Sequence, residues 1–481
     1  MSKLLLSITL LLYLGFVLGF DEELPRIAIV GAGIGGTSTA YYLRQLFGDQ
    51  AVIDIYESNK VGGRLDSFEF DGESIETGGS TLHPKNAYML NFTKILGLEA
   101  KQLESNGFGI YDGKEFLFKT SSYKIITILK AFWRYGNDLQ RIANWIDDLI
   151  TKKFCRIYNH QLKGYAFTTV KDLLLSMDQL MLNLTTRPLE ETLKEMGFSD
   201  RFIAEPVTVA VRTNYGQTVN IQSFAGSISL AGMQPGLFAI KGGNKQVAEK
   251  LLTESKANFI HAELKKISLL KEHDSIQYEL FYKPHNSTEK NSMQNHIYDI
   301  VIIAMPLNQD SKDIKFEGFI SPLSYSQPFY RTVATFIQGE VNASFFDFEK
   351  EGDLPNSILI NAEPYFINSI SKKRKNLWKV FSRELLTESE KNLLFKTIEK
   401  TTVYNWVAYP AYSSSQKLLP FVLHDQLYYV NAIESAASTI ETSVIAARNV
   451  ALLVKNHWFN LFDYIDEIPN ESEENKIKGE L

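Results

Sequence analysis

The sequence predicts an α/β fold: a Rossmann-type dinucleotide-binding domain with a central parallel sheet, joined to an α+β second domain built from insertions. Three observations predict it. The short run Arg26-Ile27-Ala28-Ile29-Val30, apolar after its first residue, has the length of a buried parallel strand. It leads directly into the turn Gly31-Ala32-Gly33-Ile34-Gly35-Gly36 and the small, apolar residues Thr37 to Leu43, which continue as a helix. A second strand pattern, Val52-Ile53-Asp54-Ile55-Tyr56, then ends on an acid, Glu57.

Each part of that unit has a physical task. Gly31 permits the tight strand-to-helix turn, Gly33 keeps side-chain atoms away from a pyrophosphate, and Gly36 lets the helix lie close on the strand. The helix N-terminus offers free N–H groups and the positive end of its dipole to phosphate. Glu57 stands about 20 residues past the last glycine, where a carboxylate accepts ribose hydroxyls. It also repels a 2′-phosphate, which disfavours NADP.

The next residues choose the longer cofactor. Val61-Gly62-Gly63-Arg64-Leu65 and Glu76-Thr77-Gly78-Gly79-Ser80 bring two more glycine pairs. Gly63, Gly78, Gly79 and Ser80 allow close backbone approach to a second length of ligand. Arg64 supplies a forked donor suited to pyrophosphate. An NAD site rarely needs this second set. At these residues the chain resembles the FAD-dependent amine-oxidase-like superfamily, and the resemblance implies FAD.

Composition narrows the classes further. The chain has 481 residues, 44% hydrophobic and 22% charged, an ordinary globular balance with room for two to four domains. The net charge of -6 leaves no basic face for nucleic acid. Cys155 is the one cysteine, so no internal disulfide forms, and it reads as a small buried apolar residue. No metal-ligand cluster is recognisable. Residues 1–20 carry one early cation, Lys3, then a long apolar stretch and small residues, the pattern of a cleaved secretory signal. No later stretch is long and uncharged enough to span a bilayer, so the mature protein is expected to lack a membrane anchor. Sequons at Asn91, Asn183, Asn286, Asn342 and Asn470 fit a secretory route.

In chain order, residues 21–100, 235–306 and 416–465 are assigned to the FAD-binding domain. Residues 101–234 and 307–415 are assigned to the substrate domain, and 466–481 to an acidic tail. His83-Pro84 stands between the second glycine pair and a helix ending at Gly97, which places His83 near the flavin or substrate. Ser122 to Tyr158 reads as two amphipathic helices, with Ile126, Leu129, Trp133, Ile142 and Trp145 facing a core. Arg212-Thr213-Asn214-Tyr215-Gly216-Gln217 makes Asn214, Tyr215 and Gln217 candidates for the polar end of a substrate. Gly242-Gly243-Asn244 heads another helix, and the strand around Leu264 is placed against an adenine. Lys372-Lys373-Arg374-Lys375 reads as a solvated loop. Leu427 to Asn431 is a strand that turns through Glu434 into a helix, which puts Glu434 beside the cofactor.

Longer strings go beyond the superfamily. IETGGSTLHPKNAYMLNFTKILGL at 75–98, RTNYGQTVNIQSFAGSISLAG at 212–232, GLFAIKGGNKQV at 236–247, DIVIIAMPLN at 299–308 and LHDQLYYVNAIESAASTIETSVIAARNVALL at 423–453 together resemble the prenylcysteine oxidase family. The resemblance runs from about Arg26 to the C-terminus. It implies a lysosomal, glycosylated flavoprotein that cleaves the thioether of S-farnesyl- or S-geranylgeranyl-cysteine with O₂, giving cysteine, a prenyl aldehyde and H₂O₂. Two departures stand out: Lys241 replaces an acid before GGNK, and Ser435 replaces a cysteine. Two rival readings share the scaffold: an FAD-dependent amine or polyamine oxidase, and a flavin-loaded lipid carrier without turnover. The ending Lys478-Gly479-Glu480-Leu481 is similar to an ER retrieval signal and offers the ER lumen, or secretion, as alternative destinations.

Overall fold

The computed structural model describes residues 24–103, 107–272, 275–285, 293–308, 314–320, 323, 327–362 and 365–468. Residues 1–20, Asn286, Asn470 and the C-terminal tetrapeptide lie outside them.

Strand β1, Arg26–Val30, is buried from its second residue onward, as expected of a strand covered on both faces. Helix α1, Ile34–Phe47, follows the glycine turn, and β2, Val52–Glu57, returns parallel to β1. The insertion after it carries helix α2, Lys124–Tyr135, and helix α3, Asp138–Asp148. The chain then comes back as β3, Asn258–Glu272, and β4, Ile300–Ile303. It closes the layer with β5, Leu427–Tyr429, and helix α4, Ile440–Trp458. The parallel strands stand in the order β3-β2-β1-β4-β5. Successive strands run outward from β1 on one side and then switch to the other at β4. In such sheets the crevice outside the strand ends at the switch is where ligands bind.

α1 and α4 pack against one another over this sheet. Their buried residues join Ile27, Ile29, Ile53, Ile55, Ile300, Ile302 and Tyr428 in one core. β3 also pairs antiparallel with Ser275–Pro284, which pairs with Gln294–Tyr298.

A second sheet, antiparallel but for one pair, has seven strands. Its long central pair is Phe329–Val341 with Phe395–Pro410. Leu377–Ser382, Ser369–Arg374 and Ser357–Ile360 continue it, and Phe108–Tyr111 and Phe116–Lys119 arrive from far earlier in the chain. The molecule is thus the α/β fold with an α+β addition expected from the sequence.

Two expectations are corrected. The charge run 372–375 is not a loop: Lys372, Lys373 and Arg374 end the strand Ser369–Arg374. Alternation along it turns Ser369, Ser371 and Lys373 to one side, into the cavity described below. The second correction concerns α2. Ile126, Leu129 and Trp133 were expected in a core, but all three are exposed. The stripe that faces the body is instead Thr127, Ala131 and Tyr135. In α3 Ile142 is buried and Trp145 half-buried, as expected.

Candidate active site

At the sheet switch lies a cavity of about 1290 Å³, larger than the roughly 300–1,000 Å³ of a site for one drug-sized ligand. Three kinds of wall line it. Backbone of Gly31, Gly33, Gly62, Gly63, Gly78 and Gly79 forms the first. Apolar side chains from the helical insertion form the second: Ile146, Leu149, Ile150, Phe154, Met181 and Phe224. The second sheet supplies the third, with Thr332, Ser369, Ser371, Lys373, Phe381 and Trp406.

The glycine wall fits a dinucleotide. α1 begins without a side-chain cap and has no acid in its first turn, so its leading N–H groups remain available to an anion. A Cβ on Gly33 would find its nearest protein atoms 3.8 and 3.9 Å away, both in Gly62 and Gly63. The space above Gly33 therefore belongs to the cavity. Glu57 is aimed from the end of β2: its Oε2 accepts the Ala32 N–H at 2.9 Å and its Oε1 accepts the Asn59 N–H at 2.8 Å. Those two bonds fix the carboxylate at the cavity edge with lone pairs left for hydroxyl donors.

The remaining glycines also have a use within the protein. The Gly62 N–H donates to the Ala32 carbonyl at 2.9 Å, and a Cβ on Gly63 would stand 3.3 Å from the Gly33 Cα. The Gly79 N–H donates to the Arg64 carbonyl at 3.1 Å, while a Cβ on Gly78 would sit 2.0 Å from that same oxygen. Three loops thus dock backbone to backbone, and only glycine permits it. Asn244 ties a fourth segment to them, donating to the Gly79 carbonyl at 3.0 Å while its own N–H reaches Glu76 Oε1 at 2.6 Å.

Other site candidates are placed as follows. Ser80, His83, Asn214 and Tyr215 line the cavity. The His83 Nδ1 accepts the Lys85 N–H at 3.1 Å, so its Nε2 carries the proton and donates to Gln234 at 2.8 Å. Burial lowers the His83 pKa. Asn214 donates to the Ser229 carbonyl at 3.0 Å, and Tyr215 donates to the Ser438 carbonyl at 3.1 Å.

Four expectations are corrected by position. Gln217 is buried and donates to the Pro410 carbonyl at 3.2 Å, away from the cavity wall. Leu264 is packed in the main core and does not line the cavity. Glu434 is buried and does not line the cavity. Arg64 does line it, but its fork is closed on Glu434, with Nη1 3.2 Å from Oε2 and Nη2 bonded to Oε1. Nη1 also donates to the Ala408 carbonyl. Gly36 sits outside the cavity for the reason anticipated: a Cβ there would lie 1.9 Å from the Gly31 carbonyl oxygen.

Sequence reasoning missed Lys373 and Glu441. The signal for Lys373 was the period-two pattern Ser369, Ser371, Lys373, hidden by the neighbouring charges. Burial lowers its pKa. Glu441, in the first turn of α4, is buried and faces the cavity. It accepts the N–H groups of Tyr88 at 2.8 Å and Met89 at 3.0 Å and the Tyr158 hydroxyl at 2.8 Å.

Burial pushes the Glu441 carboxyl up to about 7, with those donors opposing it. A raised folded value means stability that is complete below the unfolded value of 4.5 and is lost as pH rises through about 7. Wild type compared with Glu441→Gln is therefore expected to gain on the order of 3 kcal/mol between about pH 8 and about pH 4.5. Paired melting curves across that range measure it. Lys379, whose ammonium burial lowers to about 7, titrates in both proteins and cancels in the difference.

A parallel sheet with its switch at an uncapped helix, three interlocked glycine loops and a cavity larger than one drug-sized ligand needs define an FAD-dependent oxidoreductase. Comparison with known proteins agrees. A Rossmann-like NAD(P)-binding domain model matches residues 29–96, and the prenylcysteine lyase model matches 118–467. The chain belongs to that family. It is 39% identical over 479 residues to prenylcysteine oxidase 1 of Bos taurus, covering 95% of this chain and 92% of the relative. Against prenylcysteine oxidase 1 of Homo sapiens the identity is also 39%, covering 95% and 93%. Prenylcysteine oxidase 1-like of Mus musculus is 35% identical, covering 96% of each. Among solved structures, cyclohexylamine oxidase from Brevibacterium oxydans superposes with a TM-score of 0.57 over 90% of this chain and 99% of that one, at 13% identity. A fatty acid isomerase from P. acnes gives 0.59 over 92% and 100%, also at 13%. These two likenesses show the fold.

Proposed function

We propose that this chain is an FAD-dependent oxidase of S-prenyl-L-cysteine. It cleaves the thioether of the farnesyl or geranylgeranyl derivative with O₂ and water, giving cysteine, the prenyl aldehyde and H₂O₂. The observation that carries the reading is the composite cavity. One wall is bare backbone suited to FAD, one is apolar, and one mixes hydroxyls and aromatic rings with Lys373. A prenylcysteine is an amphiphile of matching character. Burying its 15 or 20 prenyl carbons supplies about 0.8 kcal/mol per CH₂-sized group, ample after the costs of ordering.

Bound FAD supplies a two-electron acceptor for hydride from the allylic carbon next to sulfur. That carbon's developing positive charge is shared by sulfur and the alkene, so no strong base is needed from the protein. The chain's own residues bind and orient. Gly31, Gly33, Gly63 and Glu57 hold the cofactor. Ile146, Leu149, Ile150 and Phe154 take the prenyl chain and exclude stray water. Lys373 pairs with the cysteine carboxylate, and desolvation strengthens that pair. Water added to the carbon after hydride loss gives a hemithioacetal, which parts into aldehyde and thiol.

Purified holoprotein is expected to consume oxygen and release peroxide with farnesylcysteine and to ignore spermine. Peroxide from spermine alone would install the amine-oxidase reading, and peroxide from neither would install the lipid-carrier reading. Lys373→Met is expected to raise KM for farnesylcysteine about tenfold or more, the worth of one buried charge-assisted bond, with a smaller change in kcat. Steady-state kinetics at several substrate concentrations separates the two.

The reading places the protein in the secretory pathway, with the lysosome as destination and the ER lumen or secretion as alternatives. Residues 1–20 act as the cleaved signal. Asn91 and Asn183 are exposed and suited to glycans, whereas Asn342 is half-buried and donates to the Leu393 carbonyl at 3.0 Å. Glycosidase digestion and co-staining with lysosomal and ER markers test both points.

A further inference from the structure

We infer that α2 is a docking element for an anionic membrane surface. The helix is held to the body by one narrow edge. Tyr135 and Arg134 both bind the buried carboxylate of Glu205, with Arg134 Nε at 2.7 Å and the Tyr135 hydroxyl at 2.8 Å, and Thr127 accepts the Ser121 N–H at 2.8 Å. The opposite face is apolar and open. Ile125 is 72% exposed, Leu129 59%, Phe132 61% and Trp133 89%. At 100° per residue these four fall within one quadrant or so of the helix, with Ile126 and Ile128 flanking them.

Charge selects the occupant. Residues 116–137 contain no aspartate or glutamate, and with Arg134 paired to Glu205 they still carry Lys119, Lys124 and Lys130, within a chain whose net charge is -6. Lys124 and Lys130 are exposed and lie at the margins of the apolar face. An apolar face with aromatic residues, bordered by lysines, is the pattern of a helix lying in the plane of a bilayer with its cations at the headgroups. A second protein copy would meet the same positive charge on itself. Among the described residues no helix is long and apolar enough to cross a membrane, so the contact is interfacial.

α2 packs on α3, and Ile146 of α3 with Leu149 and Ile150 just beyond it form the apolar wall of the cavity. On the reading of a prenylcysteine substrate, the docked helix sets that wall beside the bilayer from which such an amphiphile is drawn.

The test is flotation of the full-length holoprotein with phosphatidylcholine vesicles, with and without phosphatidylserine. The expected result is flotation with the anionic vesicles and a blue shift of Trp133 fluorescence. Phe132→Ser/Trp133→Ser is expected to lose flotation at least tenfold, with flavin content and turnover of a short-chain, water-soluble thioether unchanged. Each of Lys124→Glu and Lys130→Glu is expected to weaken binding about fivefold at low salt. Wild type that stays with the soluble fraction, or flotation indifferent to the Phe132/Trp133 variant, would overturn the inference. So would a dimer in gel filtration that the same variant converts to monomer. Flotation does not use turnover, so protein that floats but ignores farnesylcysteine leaves the docking helix standing and removes only the substrate reading.

Discussion

Gly33→Val is expected to yield a folded protein that purifies without flavin. Gly33 has φ -71° and ψ -178°, extended backbone open to any residue, and a Cβ there touches protein only at van der Waals distance. The valine therefore brings no backbone strain, and its methyl groups fill the space above the first turn of α1, where the phosphates must sit. Loss of flavin absorbance with circular dichroism like that of wild-type apoprotein is the expected readout. A yellow Gly33→Val protein would place the cofactor elsewhere. Gly36→Ala is the contrasting case. Its Cβ would overlap the Gly31 carbonyl oxygen at 1.9 Å and crowd the Ala304 Cβ at 3.2 Å. There α1 must leave β1, so flavin and fold fail together, by about 1–3 kcal/mol or more.

Glu434→Ala is expected to destabilise the protein by about 3–5 kcal/mol, the range for removing one partner of a buried ion pair. Glu434 keeps 2% of its side chain exposed and Arg64 30%, and Arg64 lines the cavity. Burial pushes the Arg64 pKa down, but the Glu434 carboxylate outweighs it and holds it above its ordinary value. Without that carboxylate the guanidinium is left charged with the Ala408 carbonyl as its remaining acceptor. The Asn431 side chain also loses the acceptor it reaches at 2.7 Å. A double variant, Arg64→Met/Glu434→Leu, is expected to recover most of the loss, because the charge and its partner leave together. Chemical denaturation of the three proteins measures the coupling. A single variant as stable as wild type would show that the pair contributes nothing to the fold.

The dinucleotide half was legible in the chain because its rules are local. Gly31, Gly33, Gly36 and Glu57 act through backbone conformation and a fixed distance along one strand-turn-helix-strand unit, so spacing alone places them. The second glycine pairs were read as sites of close backbone approach to the cofactor. What approaches is partly another loop, since Gly62 meets Ala32 and Gly78 meets Arg64. Long strings along the chain also carried the family. The helix α2 was read for its periodicity but assigned the wrong face. Periodicity says that an apolar stripe exists, and only packing says whether anything covers it.

By itself the sequence determined the parallel sheet, the glycine turn that enters its first helix and the family, all of which follow from neighbours along the chain. Tertiary structure decided that Arg64 closes on Glu434, 370 residues away, that Lys373 turns into the cavity, and that Gln217 and Leu264 turn away from it. Those outcomes depend on which groups from remote segments meet in a low-dielectric interior, where an unpaired charge or donor is costly. No local pattern in the chain specifies that meeting.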